Sequence, residues 1–87
     1  VGYMYNKILI MVYVPLIESE FDIYVPTVKK VGTIKKLIMQ IIEERSDKNF
    51  EDDGTRKLYY KLTGEEVDDK LFVRDSNLEN GSRIILY

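Results

Sequence analysis

The chain has 87 residues, of which 45% are apolar and 32% are charged, and its formal net charge is −2. This length and composition fit one globular domain, residues 1–87, with no room for a second core. The sequence contains no cysteine and no histidine. These absences exclude disulfides and thiol nucleophiles, and they remove the commonest general base and metal ligand. We therefore expect a protein that is not an enzyme and that needs no cofactor.

The charge distribution and the apolar runs favour a soluble, cytoplasmic protein. Acidic and basic residues are both spread through the chain, so the sequence predicts no general attraction to nucleic acid or to an anionic membrane. The longest apolar stretch, residues 8–14 continued by 15–17, is too short to span a bilayer, and no small-residue cleavage site follows it. Residues 1–5 are interpreted as a lead, of which Val1, Gly2 and Tyr3 are either native or an added remnant.

Two β-rich segments near the N-terminus predict a hairpin. Residues 7–14 carry apolar side chains at both parities, which is typical of a central strand, and Pro15 ends them. Residues 21–25 alternate strictly, so Asp22 and Tyr24 are expected to face outward while their apolar neighbours face the core.

One helix is predicted, from about Thr33 as N-cap to Arg45. Its apolar residues recur at helical spacing and form one stripe, which consists of Ile34, Leu37, Ile38, Ile41 and Ile42. Met39 falls off that stripe and is expected on the outer face of the helix.

The second half of the chain predicts an acidic loop, one strand and a closing strand. Residues 46–56 form the loop, with Phe50 packed beneath it. Residues 57–62 form the third strand, with Leu58, Tyr60 and Leu62 on one side, and Val67 begins a short fourth strand. Residues 71–78 are irregular with a single helical turn, and Asn80-Gly81 turns the chain into the last strand.

The order strand, strand, helix, strand, short strand, strand resembles the β-grasp arrangement of ubiquitin-like domains from Asn6 to Tyr87. The features that carry this resemblance are the helix opening at Thr33-Ile34, the Leu58-Tyr59-Tyr60 strand before the Gly64 turn, and the segment 73–78 before the closing strand. The resemblance implies an α+β fold in which a mixed sheet of four to five strands packs on one helix.

Within that superfamily the chain is most similar to the bacterial YukD/EsaB-type ubiquitin-like proteins of type VII secretion. The similarity lies in the Val25-Pro26 exit from the second strand and in the approach Val28-Lys29-Lys30-Val31 to the helix. It implies a noncatalytic accessory or regulatory component of a secretion system. It also implies a protein that is not conjugated, because the printed sequence ends at Tyr87 without the diglycine of a covalent modifier.

Strand parity predicts a protein-binding surface on the sheet face that the helix leaves open. Large apolar and aromatic side chains on that face suit protein contacts. The predicted interface residues are Leu9, Met11, Tyr13, Tyr24, Tyr59, Ile85 and Tyr87. Tyr13 and Tyr24 are expected at its rim, and homodimerisation is one way to cover it.

Two further clusters of charge are weighed as sites. A basic patch of Lys29, Lys30, Lys35 and Lys36 surrounds the start of the helix, where a solvated helix face is favoured over a site for nucleic acid or anionic lipid. The acidic groups at 51–53 and 65–69 lack the ligand spacing of a calcium loop, and no metal site is predicted.

The sequence thus leaves three hypotheses open. The first is a noncatalytic ubiquitin-like module that binds a protein partner through the open sheet face. The second is a ubiquitin-like modifier or sulfur carrier truncated before its tail. The third is an adaptor that binds nucleic acid or a membrane surface through the lysines at the helix start.

Overall fold

A computed structural model of the protein describes residues 6–47 and 49–87, so the predicted lead at 1–5 lies outside the described residues. Four strands in this part of the chain form one sheet in the order β2-β1-β4-β3. The strands and the helix are β1 (Lys7–Val14), β2 (Ser19–Pro26), α1 (Val31–Arg45), β3 (Leu58–Tyr60) and β4 (Ser82–Leu86). Strands β1 and β4 run parallel, whereas β1–β2 and β3–β4 are antiparallel. The predicted α+β class, with a mixed sheet packed on one helix, is confirmed.

The predicted hairpin of β1 and β2 is also confirmed. A single 3-10 turn over Pro15–Ile17 joins the two strands, and Glu18 closes it in a left-handed conformation with φ 51°. The eight residues of each strand pair in one continuous register, from Lys7 with Pro26 to Val14 with Ser19. Side chains on one face are fully buried beneath α1, and they include Ile10, Val12, Val14 and Val25.

The helix begins at Val31, two residues before the predicted N-cap. Lys30 is the N-cap residue and makes no side-chain capping bond. Instead, the Val31 N–H donates to the Leu71 carbonyl at 2.8 Å and the Gly32 N–H donates to the Asp69 carbonyl at 3.0 Å. A distant segment thus satisfies backbone donors that a capping side chain would otherwise satisfy. The prediction of Thr33 as N-cap is therefore wrong.

The buried face of α1 is rotated relative to the predicted stripe. Met39 is only 4% exposed, whereas Leu37 is 39% exposed. Lys35 lies one turn earlier, and its Nζ donates to the Arg56 carbonyl at 3.1 Å. Because residues i and i+4 share a helix face, the side of α1 that carries Lys35 and Met39 faces the chain that precedes β3, and Met39 belongs to the core cluster. The predicted outward position of Met39 is wrong.

The third strand is shorter than predicted and there is no fifth strand among the described residues. The Gly64 N–H donates to the Tyr60 carbonyl at 2.8 Å, so the chain turns directly after Tyr60. Leu62, expected beside Leu58 and Tyr60, is instead 97% exposed. The short strand expected at Val67 is reduced to an isolated bridge between Tyr59 and Glu66.

The rotated helix face can be tested with a pair of alanine variants. Met39→Ala is expected to lower the free energy of unfolding by about 2–4 kcal/mol, because it leaves a cavity in the core. Leu37→Ala, the matched control on a more exposed side of the same helix, is expected to lower the free energy of unfolding by about 1 kcal/mol or less. Urea denaturation followed by circular dichroism measures both, and a larger loss for Leu37→Ala would contradict the observed orientation.

Candidate protein-interaction surface

The sheet face opposite the helix, here called the outer face, is formed by alternate residues of all four strands. In β1, Ile10, Val12 and Val14 are fully buried, so the intervening Leu9, Met11 and Tyr13 point to the opposite side. These three side chains are half-buried. The parity that the sequence predicted for β1 is therefore the observed one.

An apolar row crosses three of the four strands of the outer face. Tyr13 of β1 is the register partner of Ile85 in β4, and Ile85 is the register partner of Tyr59 in β3. The ring of Tyr87 meets the ring of Tyr59 edge-on, with centroids 5.6 Å apart and planes at 75°. Such T-shaped pairs add to the stabilisation that burial supplies. Tyr13 thus lies in the middle of the face, so its predicted position at the rim is wrong.

The remaining predicted residues flank this row. Met11 lies beside Tyr13 on β1 and is the register partner of Arg83. Leu9 pairs with Tyr24 on the edge strand β2, and Tyr24 is 66% exposed while Tyr87 is 58% exposed. The structure therefore places all seven predicted residues on one face, with Tyr24 at its margin.

Charged side chains on the outer face were not included in the predicted site. Glu20 and Asp22 share the outward parity of Tyr24 on β2, and they pair with Tyr13 and Met11. Arg83 lies on β4, and the Lys61 N–H donates to the Arg83 carbonyl at 3.1 Å, which extends the register one residue beyond β3. The alternation of residues 20–24 could have revealed the two carboxylates, and the alternation of residues 57–62 could have revealed Lys61 beside Tyr59.

The predicted basic patch at the helix start does not form one open cluster. The Lys35 Nζ lies 2.7 Å from the Asp69 Oδ2, and its side chain is only 15% exposed. Lys29, Lys30 and Lys36 are exposed. The Lys30 ammonium lies 5.8 Å from the centre of the Phe72 ring, a cation–π distance. The charge of Lys35 is thus used within the domain.

Comparison with solved structures shows the fold. A ubiquitin-like domain from Arabidopsis thaliana matches with a TM-score of 0.69 and 24% identity, over 94% of this chain and 77% of that one. Ubiquitin from Caldiarchaeum subterraneum matches with a TM-score of 0.66 and 17% identity, over 92% of this chain and 90% of that one. The chain has the ubiquitin-like fold. No protein-family profile matches the sequence, and no curated protein matches it at a significant level.

One further structural neighbour of this ubiquitin-like domain belongs to a much larger protein. A chain of an ESX-5 inner membrane complex matches with a TM-score of 0.80 over 94% of the domain, but the match covers only 21% of that chain at 10% identity. At this identity the likeness concerns the fold alone. Within residues 6–47 and 49–87, α1 is neither long enough nor apolar enough to cross a bilayer.

The acidic loop of the ubiquitin-like domain is organised by local hydrogen bonds. The Thr55 hydroxyl donates to Asp53 Oδ1 at 2.6 Å and the Thr55 N–H donates to the same atom at 2.9 Å. These bonds, the hydroxyl first, hold the pKa of the exposed Asp53 carboxyl below its usual value. In the part of the chain that the structure describes, no three acidic side chains are grouped as metal ligands would be.

An open cleft of about 620 Å³ lies beside the end of β3, between the turn at 61–65 and the segment 77–83. Tyr60 forms part of its wall, and its hydroxyl accepts a hydrogen bond from the Asn77 N–H at 3.0 Å. Leu62 stands at the rim. The cleft is lined by side chains of both charges, Lys61 and Arg83 with Glu65 and Glu79.

The internal role of Lys35 can be tested against its neighbour on the helix. Lys35→Met keeps most of the side-chain volume but removes the ammonium that binds Asp69 and the Arg56 carbonyl. Since charged hydrogen bonds stabilise by about 1.5–3 kcal/mol and Asp69 stays partly solvated, we expect a loss of about 1–2 kcal/mol in the free energy of unfolding. The exposed control, Lys36→Met, should change it by about 0.5 kcal/mol or less. Equal effects in thermal unfolding would show that the Lys35 contacts contribute nothing specific.

Proposed function

We propose that this ubiquitin-like domain is a noncatalytic module that binds a protein partner through its outer face. The observation that carries the proposal is the continuous apolar row of Tyr13, Ile85 and Tyr59, completed by Tyr87 against Tyr59. A row of this kind, left without a covering helix, is typical of an interaction surface. Tyrosine and methionine are also enriched at protein interfaces, and tyrosine is frequent among the residues that contribute most of the binding free energy.

The noncatalytic part of the proposal is supported by the chemistry of the side chains. The 87 residues include neither histidine nor cysteine, so the commonest general base near neutral pH and the thiolate nucleophile are absent from them. The outer face presents apolar groups flanked by ions of both signs, which suit recognition of a surface. No cofactor is part of the proposal.

Noncovalent action is included in the proposal because binding through a sheet face requires no attachment through a chain terminus. A modifier or sulfur carrier of the same fold is the competing hypothesis. The gene sequence after the codon for Tyr87 separates the two, because a Gly-Gly pair followed by a stop codon would favour the modifier. An adaptor that binds nucleic acid or membrane through the helix-start lysines has less support, since Lys35 is paired with Asp69.

A more specific proposal is an accessory or regulatory role, in the cytoplasm, for a bacterial type VII-like secretion system. It is supported by the short sequence patterns around Val25-Pro26 and residues 28–31. The ESX-5 neighbour adds a likeness of fold, not of role. In a host that encodes such a system, deletion of the gene should reduce export, and plasmid-borne wild-type protein should restore it. Unchanged export would remove this role and leave the interaction module untouched.

The outer face itself is tested by truncating the apolar row. Tyr59→Ala and Ile85→Ala are each expected to weaken the affinity for a partner purified from the native cell by about tenfold or more, as truncation of interface hot spots does. Isothermal titration calorimetry measures the affinity, and thermal unfolding confirms that each variant is folded.

The matched control is Leu62→Ala. Among the residues that the structure describes, Leu62 is the most exposed large apolar side chain, at 97%, and it lines the cleft rather than the outer face. Its truncation should leave the affinity unchanged. If Leu62→Ala weakens binding as much as Ile85→Ala, the partner does not bind where we propose.

A further inference from the structure

The outer face is divided into an acidic side and a basic side. Along one row of register partners the order across the sheet is Asp22, Met11, Arg83 and Lys61. The carboxylate therefore stands on the edge strand β2 and the two cations stand on the β4–β3 side. Glu20 adds a second carboxylate to the β2 side. Between the two edges lie the apolar side chains of Met11, Tyr13 and Ile85, and the ion pair of Glu20 with Arg83, at 4.0 Å, reaches across β1 in this central region.

We propose that the partner of the outer face is a second copy of this chain, bound face to face about a two-fold axis parallel to the strands. The inference rests on the proposed role of the outer face as a protein-binding surface and names its occupant. A surface that is acidic at one edge, apolar in the centre and basic at the other edge is complementary to itself under such an axis. An isologous contact requires this kind of self-complementarity.

The register of the strands fixes which residues meet. An axis that runs between β1 and β4 places β2 of one copy over β3 of the other, and β1 over β4. Asp22 then lies opposite Lys61 of the second copy, and this pair occurs twice in the dimer. In the centre, Tyr13 meets Ile85 of the second copy, and Met11 meets the aliphatic part of the Arg83 side chain.

Asp22 and Lys61 are the charges that best report this arrangement. The charged groups of Glu20 and Arg83 lie 4.0 Å apart within one copy. Those of Lys57 and Glu66 lie 3.6 Å apart, so each of these charges is partly neutralised within its own chain. Among the described residues, neither Asp22 nor Lys61 has an intramolecular ion-pair partner. Two unpaired charges of opposite sign at opposite edges of one apolar face are left for an intermolecular contact.

The size of the face predicts a weak dimer. Four strands about 4.8 Å apart make a face roughly 15–20 Å wide, and each strand contributes only a few outward residues. The buried area is then at the low end of specific interfaces, where association is transient. We therefore expect a monomer–dimer equilibrium that depends on protein concentration and, through the ion pairs, on salt.

The test is a charge swap measured by sedimentation equilibrium between about 10 μM and about 1 mM protein, a range that spans weak association. Asp22→Lys and Lys61→Asp should each raise the dissociation constant of the dimer by roughly tenfold, because each replaces two attractions by two repulsions. The double variant Asp22→Lys/Lys61→Asp should restore it to within about threefold of the wild-type value. Asp75→Lys and Lys36→Asp, the charge-matched controls outside the outer face, should leave it unchanged.

The outcomes separate the two proposals. A wild-type chain that stays monomeric over the whole range, or a folded double variant that does not regain association, overturns the second-copy inference. A dimer whose dissociation constant is changed by neither Asp22→Lys nor Lys61→Asp forms through another surface and also overturns it. In any of these cases, a loss of heterologous partner binding in Ile85→Ala would still support the outer face as an interaction surface. If Ile85→Ala weakens neither heterologous binding nor self-association, the proposed function itself fails.

Discussion

The structure depends on the central position of β1, which is hydrogen-bonded on both edges. Val12, for example, is the register partner of Phe21 in β2 and of Ile84 in β4. A strand that is held on both sides can turn its side chains only up or down, so each residue of β1 belongs to the core or to the outer face. Parallel pairing with β4 also requires a crossover connection, and the chain uses it to lay α1 across one face. The opposite face is left open for the same reason.

A second constraint fixes where the helix begins and how it is rotated. The segment 69–74 lies against the start of α1. Its backbone carbonyls accept hydrogen bonds from the N–H groups of Val31 and Gly32, and the Arg74 N–H donates to the Thr27 carbonyl at 3.0 Å. The fit is close, because a Cβ at Gly32 would lie 3.3 Å from the Asp69 carbonyl oxygen. Lys35 then binds the Asp69 carboxylate. The entry to α1 is therefore held by chain that lies almost forty residues further on.

This dependence explains which features could be predicted from the sequence. The hairpin, the parity of β1 and the burial of Phe50 follow from local patterns, and all three are observed. The start of α1 depends on contacts with Asp69 and Leu71, and the helix side that buries Met39 also carries the Lys35 contact with Arg56. No local pattern contains these contacts. The periodicity identified the helix correctly, but Leu37 lies at one border of the apolar stripe and Met39 just outside the other, and the spacing alone does not tell which of the two faces the core. The buried side is the one that also carries Lys35, whose Nζ donates to the Arg56 carbonyl.

The composition of the outer face was more predictable than its arrangement. Alternation alone assigns Tyr24 and Tyr59 to the outward parity, but only the order β2-β1-β4-β3 shows that Tyr13 is central and that Asp22 and Lys61 stand at opposite edges. A polarised face of this kind has a consequence for binding. If a second copy and a different protein use the same face, the two associations exclude each other. The apparent dissociation constant for the other protein is then the intrinsic constant divided by the fraction of chain that remains monomeric. At a monomer concentration equal to the dissociation constant of a weak dimer this factor is only about three, so a heterologous partner with even moderate affinity displaces the second copy. Self-association would thus keep the apolar row covered in the absence of a partner without preventing its use.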